Sequence, residues 1–355
     1  MIFDENYHII NNVSDSEMDG YFSLFESRIS NDFLSVFLKL GESIVKIQSN
    51  IPLLIEQVLK QCAFIVAKNI EKADKTVYLW QDDIKSLIVA DAQNAAGIVI
   101  NPKNSDGSYL KIVQTEGFIE AHNTKTSTVY VMCDKNVEFN TDAIRKMGHV
   151  IVRYLYKISK TENQILTHAA AVGLNNKGVL FSARGGGGKS TLAVSAMLNG
   201  FQYVSDDYVI LRKTVEGLFA YPVYSTINIF PPMMEKMPNL KAGYLWNSWW
   251  QPQKHTLEIS GHHSSFMNKL PVSTLIFPQI ENIETPYIEP MSDKGKAITQ
   301  MAHSSVLQLA NNTQERIDYI KTLLSLIKDL NVYEIHLSSD LQKNTECLRK
   351  FIENL

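Results

Sequence analysis

One run of nine residues limits this chain more than any other: Ala183-Arg-Gly-Gly-Gly-Gly188-Lys189-Ser190-Thr191. A short apolar run, Gly178-Val-Leu-Phe-Ser182, precedes it, and apolar residues at helical spacing follow from Ser190 to Asn199, where Gly200 supplies a stop. Strand, glycine loop, helix is the order of a phosphate-binding loop, here with Ala183 in place of the usual first glycine. Glycines let successive backbone N–H groups turn toward phosphate oxygens without Cβ clashes. The helix that starts at once directs its positive end at the same phosphates. Lys189 is placed to reach the β- and γ-phosphates, and the Ser190 hydroxyl to ligate Mg²⁺. Ala183, Arg184, Gly185, Gly186, Gly187, Gly188, Lys189, Ser190 and Thr191 are therefore the expected nucleotide-binding residues. The competing reading is a flexible glycine-rich linker, and the ordered elements on both sides speak against it.

At 355 residues the chain is long for a single core, so two domains are expected. A net charge of −3 lacks the basic excess of a nucleic-acid protein. No apolar stretch reaches the roughly 18 residues of a membrane span. The first ten residues, MIFDENYHII, have no basic segment leading into an apolar run, so no secretory signal is expected. Cys62, Cys133 and Cys347 are scattered and odd in number, which fits small apolar filler better than disulfides or zinc ligands. A cytoplasmic protein that binds neither nucleic acid nor membrane is the expectation.

Before residue 160 the pattern mixes strands and helices. Ser43–Gln48 alternates, Asn50 is placed to cap a helix beginning near Pro52, and Leu53, Leu54, Val58, Leu59 and Cys62 share one of its sides. Strands are expected at Thr76–Trp80, Gly97–Ile100, Leu110–Val113 and Thr128–Met132, a turn at Asn101–Gly107, and a helix from Thr141 or Asp142 through Ile158. The texture changes at Thr161–Asn163. After the glycine loop, strands are expected at Phe201–Val204, Tyr208–Leu211, Val272–Phe277 and Val332–Leu337. Helices at Thr313–Leu330 and about Ser339–Asn354 close the chain.

Tyr203-Val-Ser-Asp206-Asp207-Tyr208 sets two carboxylates side by side at a strand end. Like charges disfavour double ionisation, and a nearby Mg²⁺ and lysine would offset that. One carboxylate then suits a metal, and the other suits accepting a proton from an attacking hydroxyl. An ordinary acidic turn is the plainer alternative. His168, in Leu166-Thr-His-Ala-Ala-Ala-Val172, reads by itself as a satisfied core histidine.

Together these pieces are more specific. Thr167-His168-Ala-Ala-Ala-Val172, a short turn, Gly178-Val-Leu-Phe-Ser-Ala183, the glycine loop and Phe201-Gln-Tyr-Val-Ser-Asp-Asp207 resemble, in order and spacing, the HPr serine kinase/phosphorylase family. They are more remotely similar to ATP-dependent phosphoenolpyruvate carboxykinase. The likeness is strongest to bacterial HPr-kinase-related proteins with an added N-terminal domain, which continue with a segment like Ala220–Ile229. Some members of that group accompany ribosomally made peptides, including lasso peptides, and phosphorylate a serine on them. The resemblance implies an α/β fold, an HPr-kinase-like P-loop core with a mixed β-sheet, preceded by a smaller α+β domain. It implies Asp207 as the base, Lys189 on the phosphates, Ser190 and Asp206 at the metal, and His168 beside the γ-phosphate or a second metal position. Counterparts of the family's later metal-ligating glutamate and catalytic arginine are not found, and the segment that recognises HPr is absent. Neither the phosphorylase reaction nor HPr as substrate is therefore implied.

The chain is accordingly expected to comprise an N-terminal α+β domain, residues 1–160, concerned with acceptor recognition, and a kinase domain, residues 161–355. The expected activity is ATP-dependent transfer of the γ-phosphate to a Ser or Thr hydroxyl of a protein or peptide, with GTP left open as donor. A nucleotide-binding switch with little or no transfer is the alternative, and small-molecule phosphorylation ranks below both. Homo-oligomers are compatible with the resemblance. Secondary candidates keep two readings each. Arg184 touches phosphate or is a solvated loop arginine, and Lys254 supplies the missing arginine's charge or is solvated. Trp246, Trp249 and Trp250 form a lid or acceptor surface, or pack on the core. His262-His263 has no acidic or cysteine companion at ligand spacing.

Overall fold

In the computed structural model the described residues are 7–10, 13–84, 97–100, 110–115, 117–123, 125–138, 155–156, 163–183, 185–247, 253–293, 295, 299–302, 305 and 313–355. The Asn101–Gly107 turn, Arg184, Trp249 and Trp250 lie outside them, as does the helix expected over residues 141–158 apart from helical Leu155 and Tyr156. The chain divides into two units, Met1–Leu59 with Val66–Ile151, and Lys60–Ile65 with Val152–Leu355. The fold is mixed α/β.

In chain order the first half carries β1 (Tyr7–Ile10), α1 (Asp15–Glu26), β2 (Leu34–Leu40), β3 (Ser43–Ser49), α2 (Pro52–Gln61), β4 (Lys75–Asp82), β5 (Gly97–Ile100), β6 (Leu110–Thr115), β7 (Phe118–Asn123) and β8 (Thr128–Asp134). Its strands form one mixed sheet in the order β1-β5-β6-β7-β8-β4-β3-β2. The alternation read in residues 43–48 is the alternate burial of β3. Residues 15–26, to which no element is assigned above, form a helix started by a capping box. Glu17 N donates to Ser14 Oγ (3.4 Å) and Ser14 N to Glu17 Oε2 (2.8 Å). Met18, Phe22 and Phe25 on α1 pack with Trp80, Tyr130 and Met132. Asn50 does not cap α2. Its side-chain amide exchanges two hydrogen bonds with the backbone of Gln81 (3.1 and 3.0 Å), which continues the β3–β4 pairing instead. On α2, Leu54 and Val58 are buried as expected and Leu53 is half-buried, but Leu59 is exposed and Ile55 is buried in its place, while Cys62, also buried, follows the helix end.

The second half carries β9 (Gln164–Thr167), β10 (Ala170–Leu174), β11 (Lys177–Phe181), α3 (Lys189–Leu198), β12 (Gln202–Ser205), β13 (Val209–Thr214), β14 (Gly217–Pro222), β15 (Thr226–Ile229), α4 (Pro231–Glu235), β16 (Gly243–Asn247), β17 (His255–Glu258), β18 (Leu270–Ile280), β19 (Tyr287–Pro290), α5 (Thr313–Ile327), β20 (Asn331–Leu337) and α6 (Leu341–Glu353). Nine strands form one sheet along β12-β10-β11-β18-β14-β13-β9, with β20 beside β18 and β19 beside β20. The pairs β11–β18 and β18–β20 are parallel, and the glycine loop leaves the C-terminal end of β11. That end of parallel strands is where open α/β sheets take their ligands. A separate small sheet runs β15-β17-β16.

Two facts about connectivity place the site. The strands β9 and β12 stand at opposite ends of the sheet path, yet β9 joins β10 through only His168-Ala169, and β12 joins β13 through only Asp206-Asp207-Tyr208. At 3.8 Å per Cα step such links span at most roughly 15 Å, so the sheet curls until its two ends meet at these turns. Register then aligns them: antiparallel β9–β13 sets Thr167 opposite Val209, and β10–β12 sets Ala171 opposite Ser205. One face is closed by α3 and α6, where Leu192, Val194, Leu348 and Ile352 join Ile276 and Ile335. The other is closed by α5, where Leu323, Leu326 and Ile327 meet Leu275, Phe277 and Val332. Apolar burial on both faces is the main force holding the unit together.

Candidate active site

The glycine loop ends at Gly188, whose φ of +88° is a conformation that L side chains avoid. A Cβ there would stand 2.9 Å from Leu337 Cδ1 and 3.3 Å from Ile280 Cγ1, so backbone and the strand ends β18 and β20 meet closely. Gly186 also has positive φ, +85°, with open space where its Cβ would stand. The helix α3 begins immediately at Lys189, and no side chain caps its N-terminus. Its first N–H groups are thus left for an anion, beside a loop whose Gly185 and Gly186 are exposed. Ala183 is buried, and Ser190 and Thr191 are half-buried in the first turn.

Lys189 turns inward. Its ammonium donates to the Asp206 carbonyl, stands 3.9 Å from Asp207 Oδ1, and retains only 7% side-chain exposure. Burial pulls its pKa down, and the charges of Asp207 and Asp206 push back. The Ser190 hydroxyl lies 3.4 Å from the same Asp206 carbonyl as a donor. The glycine loop and the acidic turn are therefore tied by Lys189 and Ser190.

The two aspartates differ sharply in setting. Asp206 is fully buried, and Tyr203 OH donates to its Oδ1 at 3.3 Å. Its Oδ2 is buried without a hydrogen-bond partner. Burial first, then the neighbouring Asp207 charge, raises the Asp206 pKa from an ordinary 3.8 to about 6. A carboxylate oxygen with no partner in a dry position is what a divalent cation would satisfy. Together with the Ser190 hydroxyl, it supplies oxygen donors suited to Mg²⁺. Asp207 keeps 21% side-chain exposure and so remains reachable. His168 Nε2 approaches Asp207 Oδ1 at 2.9 Å, which brings His168, Asp207 and Lys189 together around one carboxylate oxygen.

His168 is held from several sides. Its backbone N–H donates to Ser305 Oγ (3.1 Å), which also meets Thr167 Oγ1 (2.9 Å), while Tyr319 OH donates to the Leu166 carbonyl (2.7 Å). Its ring lies 5.3 Å from that of Tyr208, which in turn contacts Tyr224 at 6.2 Å. Ser305, Tyr319 and Tyr203 escape sequence reading. The first two lie more than a hundred residues downstream of His168, and Tyr203 looks like an ordinary strand aromatic.

Of the secondary candidates, Lys254 precedes β17, and its charge acts on both Lys189 and Asp206. Its ammonium also sits 5.0 Å over the Phe230 ring. Trp246 belongs to β16 and is half-buried. His262 Nε2 accepts from the Lys241 backbone N–H (2.9 Å), and His263 meets Phe64 edge-on, so both are engaged in local structure. Among the described residues, Glu289, Glu334 and His336 are the group with ligand atoms within 4.8 Å of one another, on β19 and β20, with Glu289 exposed and the other two half-buried. Cys62 and Cys133 are buried free thiols and Cys347 is half-buried. No helix among the described residues is long and apolar enough to cross a membrane.

No family model matches this sequence, and no curated protein matches it either. Among solved structures it is similar to the Hpr(Ser) kinase/phosphatase from Coxiella burnetii, with 13% identity over 54% of this chain and 97% of the other. The TM-score of that superposition is 0.29, which gives the likeness no weight here.

Proposed function

We propose that the chain is an ATP-dependent kinase that transfers the γ-phosphate to a Ser or Thr hydroxyl of a protein or peptide. The observation that carries this reading is the convergence of Lys189 and His168 on a reachable Asp207 beside a glycine loop that leads into an uncapped helix. Backbone N–H groups of residues 185–191 and the Lys189 ammonium would bind the phosphates of the nucleotide. Mg²⁺ held by Ser190 and Asp206 Oδ2 would neutralise phosphate charge when bound.

The accepting hydroxyl oxygen forms the new bond to the γ-phosphorus, and the bond to the β–γ bridging oxygen breaks, releasing ADP. The hydroxyl proton passes to Asp207. Asp207 suits this duty better than Asp206 because it is partly exposed, whereas Asp206 is sealed and bonded to Tyr203. His168 Nε2, 2.9 Å from Asp207 Oδ1, orients the Asp207 carboxylate. Lys254 adds positive potential at the site, in the role that the resemblance assigns to a later arginine. The first unit is proposed to recognise the acceptor.

Purified protein given γ-³²P-ATP, Mg²⁺ and acceptors drawn from lysate or from peptides encoded beside it is expected to label a Ser or Thr. Nucleotide binding with no label in any acceptor would favour the switch reading instead.

A further inference from the structure

We infer that Tyr203 is a positioning residue whose hydroxyl, by engaging Asp206 Oδ1, leaves Oδ2 as the oxygen that would hold a metal, an inference that rests on the kinase reading above. A carboxylate has two equivalent oxygens, and an unrestrained one can rotate to offer either. Here Tyr203 OH donates to Oδ1 at 3.3 Å, and Oδ2 alone is left as a buried acceptor without a partner. The hydroxyl is kept in place because the residue carrying it is tied at its backbone and its ring is buried in the apolar cluster on which Phe266 packs. Met267 N donates to the Tyr203 carbonyl at 2.8 Å, and Phe266 forms an isolated parallel bridge with Tyr203. Phe266 is itself packed on Phe64, ring centroids 3.9 Å apart. Tyr203 is 1% exposed, so its phenol has no water to fall back on and needs the carboxylate.

A side chain that orients a metal ligand without touching the metal changes metal affinity and leaves nucleotide contacts alone. The Tyr203→Phe substitution removes one oxygen and keeps the ring. The test is a titration of Mn²⁺ into protein saturated with a non-hydrolysable ATP analogue, repeated for the variants. Tyr203→Phe should raise the half-saturating Mn²⁺ concentration by about tenfold, the lower end of what loss of such a partner costs. Affinity for the metal-free analogue should stay unchanged, and kcat at saturating metal should remain within about twofold of wild type. Tyr203→Met, which also lacks the donor, should give the same rise, so the outcome does not hang on one variant. Phe266→Leu loosens the packing but keeps the hydroxyl. It should lower the melting temperature without raising the metal requirement.

An unchanged metal requirement in both Tyr203 variants would overturn the inference. So would an equal rise in Phe266→Leu, which would reduce Tyr203 to a packing role. Wild-type protein that binds no Mn²⁺ with the analogue would overturn the kinase reading itself, and that result is distinct from either of these.

Discussion

Substituting Asp206 by Asn should make the ligand-free protein more stable at neutral pH while disabling it. Asp206 is fully buried beside a second aspartate, and its carboxyl titrates at about 6 instead of 3.8. A carboxyl whose folded pKa is raised binds more protons folded than unfolded between the two values. Stability is therefore lost as pH climbs from about 4 to about 6, and the penalty is complete above that window. At 1.36 kcal/mol per pH unit the rise amounts to about 3 kcal/mol. Asparagine keeps an acceptor for Tyr203 and carries no charge to bury. The melting temperature of the Asp206→Asn protein at pH 7.5 should exceed wild type by about 6–12 °C, at 2–4 °C per kcal/mol for a unit of this size. The difference should shrink toward zero near pH 4. Thermal melts from pH 4 to 8, with and without Mg²⁺ and an ATP analogue, measure both limbs. The ligand should raise the wild-type melting temperature and leave that of the variant nearly unmoved. A variant less stable than wild type at pH 7.5, or a difference independent of pH, would refute the assignment of Asp206 as a costly buried ligand.

Other substitutions test the loop and its lysine. Gly188→Ala should cost about 1–3 kcal/mol in urea melts, through backbone strain and the clash with Leu337. Gly186→Ala, strained but in open space, should cost less than Gly188→Ala. Lys189→Met should weaken ATP binding about 10- to 100-fold by calorimetry, the effect of losing a charge-assisted contact to phosphate. Binding within twofold of wild type would remove Lys189 from the phosphate site.

Much of the second half is legible because its signals are local. The glycine loop, the helix after it and the Gly200 stop at φ +82° follow from residue chemistry within a single turn. The same holds for the strand at Gly97–Ile100, whose bounds match the apolar run. The site's partners were hidden because they depend on how distant strands meet. Nothing near His168 in sequence announces Ser305, whereas Tyr203, three residues before Asp206, is hidden for another reason: it reads as an ordinary strand aromatic. The curl that joins the ends β9 and β12 is a property of strand order, which a linear pattern does not carry. The helix at Asp15–Glu26 is written just as locally: Ser14 and Glu17 mark its start, and Met18, Tyr21, Phe22 and Phe25 recur at helical spacing, so its absence from the expected elements has no physical cause. The small β15-β17-β16 sheet has short strands, and the exposed face of β16 gives no clean alternation.

The most direct test of the kinase reading is the rate of γ-phosphate transfer by Asp207→Asn protein, measured beside its affinity for Mg²⁺-ATP. The reading predicts a fall in transfer of about 10²- to 10⁴-fold, the worth of a positioned general base, with nucleotide affinity held within a few-fold. Transfer at the wild-type rate by the variant would contradict the placement of the base, and with it the mechanism built on this site.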